Sequence, residues 1–291
     1  MNDKTGRTVL VLGATGMLGN AMLRLLADSP GIDAVGSARS SAGVRLLRPD
    51  LHERVHAGVD VVNPDSLARL LELARPHTVI NCVGVVKQLV NTSDPLTAIA
   101  INSLLPHRLS RLCSLMGARL VHVSTDCVFA GTKGLYREGD APDAQDLYGR
   151  SKQLGEVTND AHAVTLRTSF IGHELGSAHG LLGWFLAQKG SVPGYGKAIF
   201  SGLPTVELAR VIRDYVLPRP ELSGLYQVSA DPIDKLTLLR LVAAEYGHDI
   251  EIVTNDQVAI DRSLDSTRFR TATGYQPPDW TELVHRMHAF G

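Results

Sequence analysis

The sequence predicts an α/β protein built on a doubly wound, mostly parallel sheet with a small C-terminal substrate domain. Residues 9–12 are an unbroken apolar run, which is typical of a strand buried on both faces. Gly13, Gly16 and Gly19 follow at three-residue spacing. Residues 17–27 then place apolar side chains at helical intervals. A strand, a glycine-rich turn and a helix in this order begin a dinucleotide-binding fold.

The glycine turn predicts where a dinucleotide binds. Its spacing is G-x-x-G-x-x-G, so the backbone can approach a pyrophosphate while N–H groups of the helix N-terminus face the negative charge. We expect the cofactor to contact Gly13, Thr15, Gly16, Met17 and Leu18. The alternative is a tight strand-to-helix turn that binds no ligand.

The composition favours an ordinary soluble globular protein. The chain has 291 residues, 44% of them hydrophobic, and a formal net charge of −1, which argues against a nucleic-acid or membrane-surface protein. Cys82, Cys113 and Cys127 are too few and too scattered for a disulfide framework or a zinc site, so no metal is expected. We expect a cytoplasmic protein, since no N-terminal stretch resembles a signal peptide and no apolar segment approaches a membrane span.

The second predicted strand, residues 32–36, ends in a way that favours NADP over NAD. NAD-binding folds usually carry a carboxylate here for the ribose hydroxyls, whereas this chain has Arg39 among small and hydroxyl-bearing residues. A guanidinium suits a 2′-phosphate. The alternative is a solvated loop arginine.

The next strand is predicted to end at residues 58–61. Asp60 is a candidate acceptor for the adenine amino group and Val61 a candidate packing partner for the ring. The alternative is an aspartate that begins the loop. Asn63 as N-cap, with Pro64 at the first helical position, predicts that a helix follows.

A strand over residues 78–86 is predicted to form one wall of the cofactor cleft. Small residues at its end leave room for a flat ring, and the predicted cofactor contacts are Cys82, Val83 and Gly84. Lys87 follows in the loop where a substrate would enter, with a solvated surface lysine as the alternative. A long helix is predicted over residues 95–116.

The strongest chemical signal lies after the strand predicted over residues 119–124. Ser124, Thr125 and Asp126 stand at its carboxyl end, where doubly wound sheets bind ligands. Tyr148 and Lys152 follow four residues apart, on one face of a helix. A lysine one turn away stabilises a phenolate, so we expect it to lower the phenol pKa and make the tyrosine a proton donor to a carbonyl oxygen that receives hydride. A hydroxyl from Thr125 or Ser124 would hold the same oxygen and help to polarise it.

The remaining sequence predicts a divided substrate domain. Residues 1–170, with about 204–230, are assigned to the NADP-binding domain, and residues 171–203 and 231–291 to the substrate-binding domain. Residues 193–196 are predicted to be a loop, and Thr205 is predicted to cap a helix over residues 206–216. Arg262 and Arg268 are candidates for binding a substrate diphosphate, and surface salt-linked arginines are the equally weighted alternative.

Several of these segments together resemble the extended short-chain dehydrogenase/reductases, and most of all the dTDP-4-dehydrorhamnose reductase group of nucleotide-sugar reductases. The most specific is Ser-Thr-Asp-x-Val-Phe-x-Gly at residues 124–131. The glycine turn, the Tyr-x-x-x-Lys pair and residues 264–269 extend the likeness over nearly the whole chain. Cys127 stands where that group usually has tyrosine, and Cys82 where it usually has alanine. No counterpart is evident for the acidic residue through which some members bind Mg²⁺ at a dimer interface.

The resemblance implies an enzyme that uses NADPH to reduce the C4 keto group of a nucleotide-linked 4-keto-6-deoxy sugar, in deoxysugar or cell-surface polysaccharide biosynthesis. Thr125, Tyr148 and Lys152 would be its catalytic set, and Ser124 and Asp126 would contact the substrate. Two alternatives remain open: a nucleotide-sugar epimerase or dehydratase on the same fold, and a non-catalytic NADP-binding regulatory subunit. The sequence leaves open whether the chain forms a homodimer.

Overall fold

The computed structural model describes residues 7–85 and 94–291. Lys87, a predicted substrate contact, lies outside the described residues. The strands are β1 (Arg7–Leu12), β2 (Ile32–Ser37), β3 (Val55–His56), β4 (Thr78–Asn81), β5 (Arg119–Thr125), β6 (Ala163–Thr168), β7 (Phe170–Ile171), β8 (Ser191–Tyr195), β9 (Ala198–Phe200), β10 (Leu203–Pro204), β11 (Gly224–Gln227), β12 (Ile233–Asp234), β13 (Glu251–Asn255) and β14 (Ile260–Asp261).

The α-helices are α1 (Met17–Ala27), α2 (Ser41–Val44), α3 (Pro64–Ala74), α4 (Pro95–Ala98), α5 (Leu105–Met116), α6 (Leu147–Leu154), α7 (Leu181–Leu186), α8 (Thr205–Val211), α9 (Lys235–Tyr246), α10 (Thr267–Thr273) and α11 (Trp280–Phe290). The π-helical segment Ile99–Leu104 joins α4 to α5, and a second one, Ile212–Val216, extends α8. Short 3₁₀ turns span Pro49–Arg54 and Asp126–Val128.

The central sheet confirms the predicted fold class. Its seven strands run in the order β11-β6-β5-β4-β1-β2-β3, and every neighbouring pair is parallel. The chain order reverses between β1 and β4, so the carboxyl ends of these strands border the crevice where such sheets bind ligands.

The apolar run in β1 is continuous because both faces of the sheet are covered. Val9 and Val11 belong to one buried cluster, which includes side chains of α1 and α8. Leu10 and Leu12 belong to a second cluster, with side chains of α3 and α5. Successive strand residues point to opposite faces, so helices on both sides require apolar residues at every position.

A third apolar cluster lies in the segments assigned above to substrate binding. It joins α7, α9 and α11 to β8 and β9. The strands there form small sheets, β12-β9-β14 and β13-β8. Helix α11 bridges two clusters, since Leu283 packs with the central sheet while Val284 and Met287 pack with the third cluster. The division into two domains stays a prediction.

Three local predictions are wrong. β3 is only Val55–His56, because Gly58 has φ +77° and turns the chain out of the strand before residues 58–61. Residues 193–195 are not loop but part of β8, which pairs with β13 some 60 residues later. Thr205 does not cap α8. It is the first helical residue, Pro204 is the N-cap, and no side chain caps the helix.

Candidate active site

The glycine turn forms a cradle with the close approach that a pyrophosphate needs. Gly13 has φ +77°, and its carbonyl accepts the Gly16 N–H at 2.9 Å. A side chain at Gly19 would place its Cβ 2.0 Å from the Gly13 oxygen, so only glycine fits there. Gly16 caps α1 without any side-chain hydrogen bond, which leaves the first helical N–H groups to an anion or to water. The cradle therefore fits a dinucleotide.

The segment after β4 forms the neighbouring wall of the cleft. Asn81 is fully buried, and its Oδ1 accepts the Val83 N–H at 3.1 Å while its Nδ2 contacts His122 Nδ1 at 3.1 Å. The Val83 side chain lies 3.0 Å from where a Gly13 Cβ would stand, so the wall and the cradle touch. Burial raises the pKa of the Cys82 thiol to about 12, which keeps it protonated.

Asn102 is a site residue that the sequence analysis did not single out. It lies in the π-helical segment, its Oδ1 accepts the Val85 N–H at 2.9 Å, and its Nδ2 donates to Val85 O at 3.2 Å and to Ser151 Oγ at 3.1 Å. One amide thus ties the cleft wall to α6. A buried, weakly helix-forming residue within a predicted helix is a signal for such a role.

Two glycines bring α6 against the site. A Cβ at Gly149 would lie 2.3 Å from Cys127 O, and one at Gly155 would lie 1.9 Å from Asn102 O. The helix begins with Asp146, whose side chain accepts the Gly149 N–H at 2.8 Å. This close packing places Tyr148 beside the end of β5.

Thr125 and Tyr148 meet there. The Thr125 hydroxyl accepts the Cys127 N–H at 3.1 Å and donates to Asp126 Oδ1 at 3.3 Å. It also faces the Tyr148 phenol closely enough to lower the pKa of that phenol. The predicted threonine and tyrosine therefore come together, although 23 residues separate them in sequence.

The expected lowering of the phenol pKa is wrong for this structure. Burial raises the pKa of Tyr148, and the neighbouring Thr125 hydroxyl offsets only part of that rise. Lys152 instead donates to Val123 O at 2.8 Å. Burial lowers the pKa of Lys152 to about 8, with the Glu156 charge acting in the opposite direction. The phenol is thus held as a proton donor at neutral pH, and the lysine, one helical turn away on α6, is mostly an ammonium ion.

Asp126 and Arg262 lie beside this pair. Asp126 is 7% exposed, and burial raises its pKa against the opposing charge of Arg262. Arg262 donates from Nε to Phe129 O at 2.7 Å, and its Nη1 lies 3.8 Å from Cys127 Sγ. Both predicted substrate contacts therefore stand near Thr125.

The predicted adenosine contacts lie in a different environment. Arg39 is exposed and makes no hydrogen bond or ion pair with other residues in the described part of the chain. Asp60 is exposed, and its Oδ1 accepts the Val62 N–H at 2.9 Å. Val61 is half-buried and packs on the second cluster.

Two substrate predictions fail on geometry. Ser124 is 3% exposed, and its hydroxyl donates to Glu156 Oε1 at 2.8 Å, because alternate residues of β5 point to opposite faces. Arg268 is exposed and lies over the Tyr226 ring at 4.7 Å, lining a cavity of about 520 Å³ with residues that precede β6 and β11. It is therefore at the amino-terminal edge of the sheet, away from Thr125.

Residues 7–85 and 94–291 contain neither a membrane-spanning helix nor a metal-binding cluster. No helix there is long and apolar enough to cross a membrane. No group of three or more His, Cys, Asp and Glu side chains there has the arrangement to hold a metal ion.

Residues 7–187 match the family described as RmlD substrate binding domain. The chain belongs to this family.

Curated relatives include a reductase and a subunit of a different enzyme. The chain is 34% identical to the probable low-salt glycan biosynthesis reductase Agl14 of Haloferax volcanii, over 60% of this chain and 57% of that protein. It is 32% identical to methionine adenosyltransferase 2 subunit beta of Rattus norvegicus, over 55% of this chain and 46% of that protein. The match thus spans about half the length of these relatives. It is 28% identical to dTDP-4-dehydrorhamnose reductase of Salmonella typhimurium, over 76% of this chain and 72% of that protein.

Solved structures support the fold. A dTDP-4-dehydrorhamnose reductase of Bacillus anthracis, in complex with NADP, superposes with a TM-score of 0.79 at 21% identity, covering 98% of both chains. A dTDP-glucose 4,6-dehydratase of the same species, in complex with NAD, reaches 0.78 at 15% identity, covering 98% of this chain and 96% of that one. Reductase and dehydratase fit equally well, so the fold does not separate the two activities.

Proposed function

We propose that this protein uses NADPH to reduce the C4 keto group of a nucleotide-linked 4-keto-6-deoxy sugar. The observation that carries the proposal is the juxtaposition of the Thr125 hydroxyl and the buried Tyr148 phenol at the carboxyl end of β5, with the buried Lys152 one helical turn from Tyr148 on α6. The glycine cradle lies at the end of β1 in the same sheet. A proton donor and a dinucleotide cradle at one sheet edge suit hydride transfer to a carbonyl.

NADPH, when bound, supplies the hydride. The Gly13–Gly19 turn would hold its pyrophosphate, Arg39 its 2′-phosphate, and Asp60 and Val61 its adenine. Thr125 would donate a hydrogen bond to the substrate carbonyl, and Tyr148 would protonate the oxygen as negative charge develops on it. Lys152 would stabilise the phenolate left behind. Asp126 and Arg262 would hold the sugar and its diphosphate.

Two further candidates use the same fold. A nucleotide-sugar epimerase or dehydratase would retain NAD, which the exposed Arg39 and the missing carboxylate after β2 do not favour. A regulatory subunit is favoured by the 32% identity to methionine adenosyltransferase 2 subunit beta. The intact set of Thr125, Tyr148 and Lys152 favours an enzyme over a regulatory subunit.

A substrate panel tests the proposal. Purified protein with NADPH is offered dTDP-, UDP- and GDP-linked 4-keto-6-deoxy sugars, together with the free sugars, while NADPH absorbance and the product's NMR spectrum are followed. We expect stoichiometric oxidation of NADPH and a new C4 hydroxyl with a nucleotide-linked sugar. The free sugar should lose rate as well as affinity, since the diphosphate and base supply binding energy for orientation.

The other outcomes separate the candidates. An isomerised sugar without net cofactor consumption would identify an epimerase. Tight NADPH binding without turnover of any panel member would contradict the reductase and support the regulatory subunit.

A further inference from the structure

A buried ion pair lies directly after the helix that carries Tyr148 and Lys152. Arg167 and Glu156 have side chains only 4% and 5% exposed, and two bonds of 2.7 Å join the guanidinium to the two carboxylate oxygens. Glu156 Oε1 also accepts the Ser124 hydroxyl at 2.8 Å. Arg167 Nη1 is buried and has no hydrogen-bond partner in the described structure. None of these three side chains has a role in the chemistry proposed above.

Lys152 is a buried cation near this pair. In the described structure it has no direct partner of opposite charge. It is 5% exposed, and its ammonium donates to the neutral carbonyl of Val123 at 2.8 Å. Isolated buried ammonium groups are costly, and a lysine in such a place tends to lose its proton. Some negative charge is therefore needed if the ammonium form is to persist.

Among the described groups that face Lys152, one supplies a negative charge. Cys82, from the end of β4, is a thiol whose pKa burial raises to about 12. His122, on β5, is fully buried, and its pKa lies well below its ordinary value, so it is neutral. Tyr148, on the same helix, is a protonated phenol. Glu156, just beyond the end of α6, is the carboxylate whose charge acts on Lys152.

We propose that Glu156 is a positioning residue that keeps Lys152 in its ammonium form, and that Arg167, which holds both carboxylate oxygens, fixes the carboxylate for this task. Glu156 does not contact Lys152 through a hydrogen bond; it acts across the buried space between them, where a charge is weakly screened. Arg167 holds both carboxylate oxygens, so the carboxylate does not replace Val123 O as the partner of the ammonium.

For the reaction, this inference rests on the proposed function. A neutral lysine cannot stabilise the phenolate that Tyr148 becomes after it gives up its proton. Loss of the Glu156 charge would then move the alkaline limit of catalysis to lower pH. The protonation state of Lys152 is nevertheless a property of the folded chain and can be measured without any substrate.

The test is a lysine titration by NMR on the full chain labelled with ¹³C-lysine. The chain has seven lysines, and Lys152→Met identifies the Lys152 signal by its absence. We expect a midpoint of about 8 in the wild type. Glu156→Gln leaves Arg167 buried and unpaired, which can prevent folding. It is therefore measured beside the double variant Glu156→Gln/Arg167→Met, which removes both charges and can fold where the single variant does not. In the double variant the midpoint should fall by about one pH unit, and in the single variant, where the Arg167 charge is left unpaired, it should fall at least as far.

Two matched variants separate charge from structure. Ser124→Ala removes a hydrogen bond to Glu156 but no charge and should leave the Lys152 midpoint unchanged. Glu156→Asp keeps the charge and should restore most of the shift. An unchanged midpoint in the folded double variant would overturn the proposal. A shifted midpoint in a protein that reduces no panel sugar would support the role of Glu156 while contradicting the reductase.

Discussion

The candidate site has two ends, both at the carboxyl edge of the sheet. They differ in how far their charged groups are exposed to water. At the β2 end, Arg39 and Asp60 are exposed, and Arg39 has no partner in the described chain. At the β5 end, Asp126 and Lys152 are at most 7% exposed, and burial shifts the pKa of each toward its neutral form. Water screens the first pair of charges and not the second.

Because of this difference, the two ends are suited to different functions. An exposed cation such as Arg39 can discriminate between ligands that differ by a phosphate, at little cost in stability. Buried groups with shifted pKa values can move protons at neutral pH, but each one destabilises the fold. The comparison therefore predicts large effects on rate and stability at the β5 end and small effects on ligand choice at the β2 end.

The largest expected effect is the loss of the buried proton donor. Tyr148→Phe should lower kcat by about a thousandfold, or ~4 kcal/mol of barrier, and leave NADPH affinity nearly unchanged, because the ring still packs. Turnover of a reduced panel sugar and fluorescence titration with NADPH measure the two quantities. Tyr226→Phe, whose hydroxyl is remote from Thr125, is the matched control. If Tyr148→Phe kept its rate within about tenfold, another residue would be the acid.

The next effect is on stability and concerns Lys152. Its pKa falls from 10.5 to about 8 on folding, so between these values the unfolded chain holds more protons than the native chain. The free energy of unfolding should therefore rise with pH in this window, by about 3 kcal/mol relative to Lys152→Met. Urea denaturation of both proteins at pH 8 and at pH 10.5 measures this difference. A difference that stays constant with pH would show that Lys152 is not desolvated.

The smallest effect belongs to the exposed end. Arg39→Ala should weaken NADPH binding by about tenfold, or ~1.4 kcal/mol, and leave NADH binding unchanged, because NADH lacks the 2′-phosphate. Titrations at two salt concentrations check that the wild-type preference is electrostatic. Arg69→Ala, an exposed arginine on α3, removes the same charge elsewhere. Equal affinity of the wild type for both cofactors would rule out Arg39 as the discriminating group.

The sequence predicted much of the fold because the local signals were strong. The bounds of α1 and the run from α4 to α5 agree with the apolar periodicity of residues 17–27 and 95–116. The predictions failed where a distant partner decides the structure. Residues 193–195 form a strand only because β13 pairs with them, and no pattern within that segment shows this.

The predictions for the candidate site succeeded and failed for the same reason. The spacing of Tyr148 and Lys152 and the hydroxyl at Thr125 were evident from sequence, because a helical period and a strand end are local features. The directions of Ser124 and Arg268 were not, since they depend on which face of β5 is covered and on which edge of the sheet α10 meets.

Local sequence patterns were sufficient to predict the first strand and helix, the glycine cradle and the residue types available for proton transfer, because these features depend on backbone sterics and short-range periodicity. Tertiary structure decided how those residues ionise. Burial raises the pKa of Tyr148, where the neighbouring lysine alone predicted a fall, and it lowers the pKa of Lys152. Whether a charge is stable depends on the water excluded around it and on carboxylates such as Glu156, and packing across the whole chain sets both.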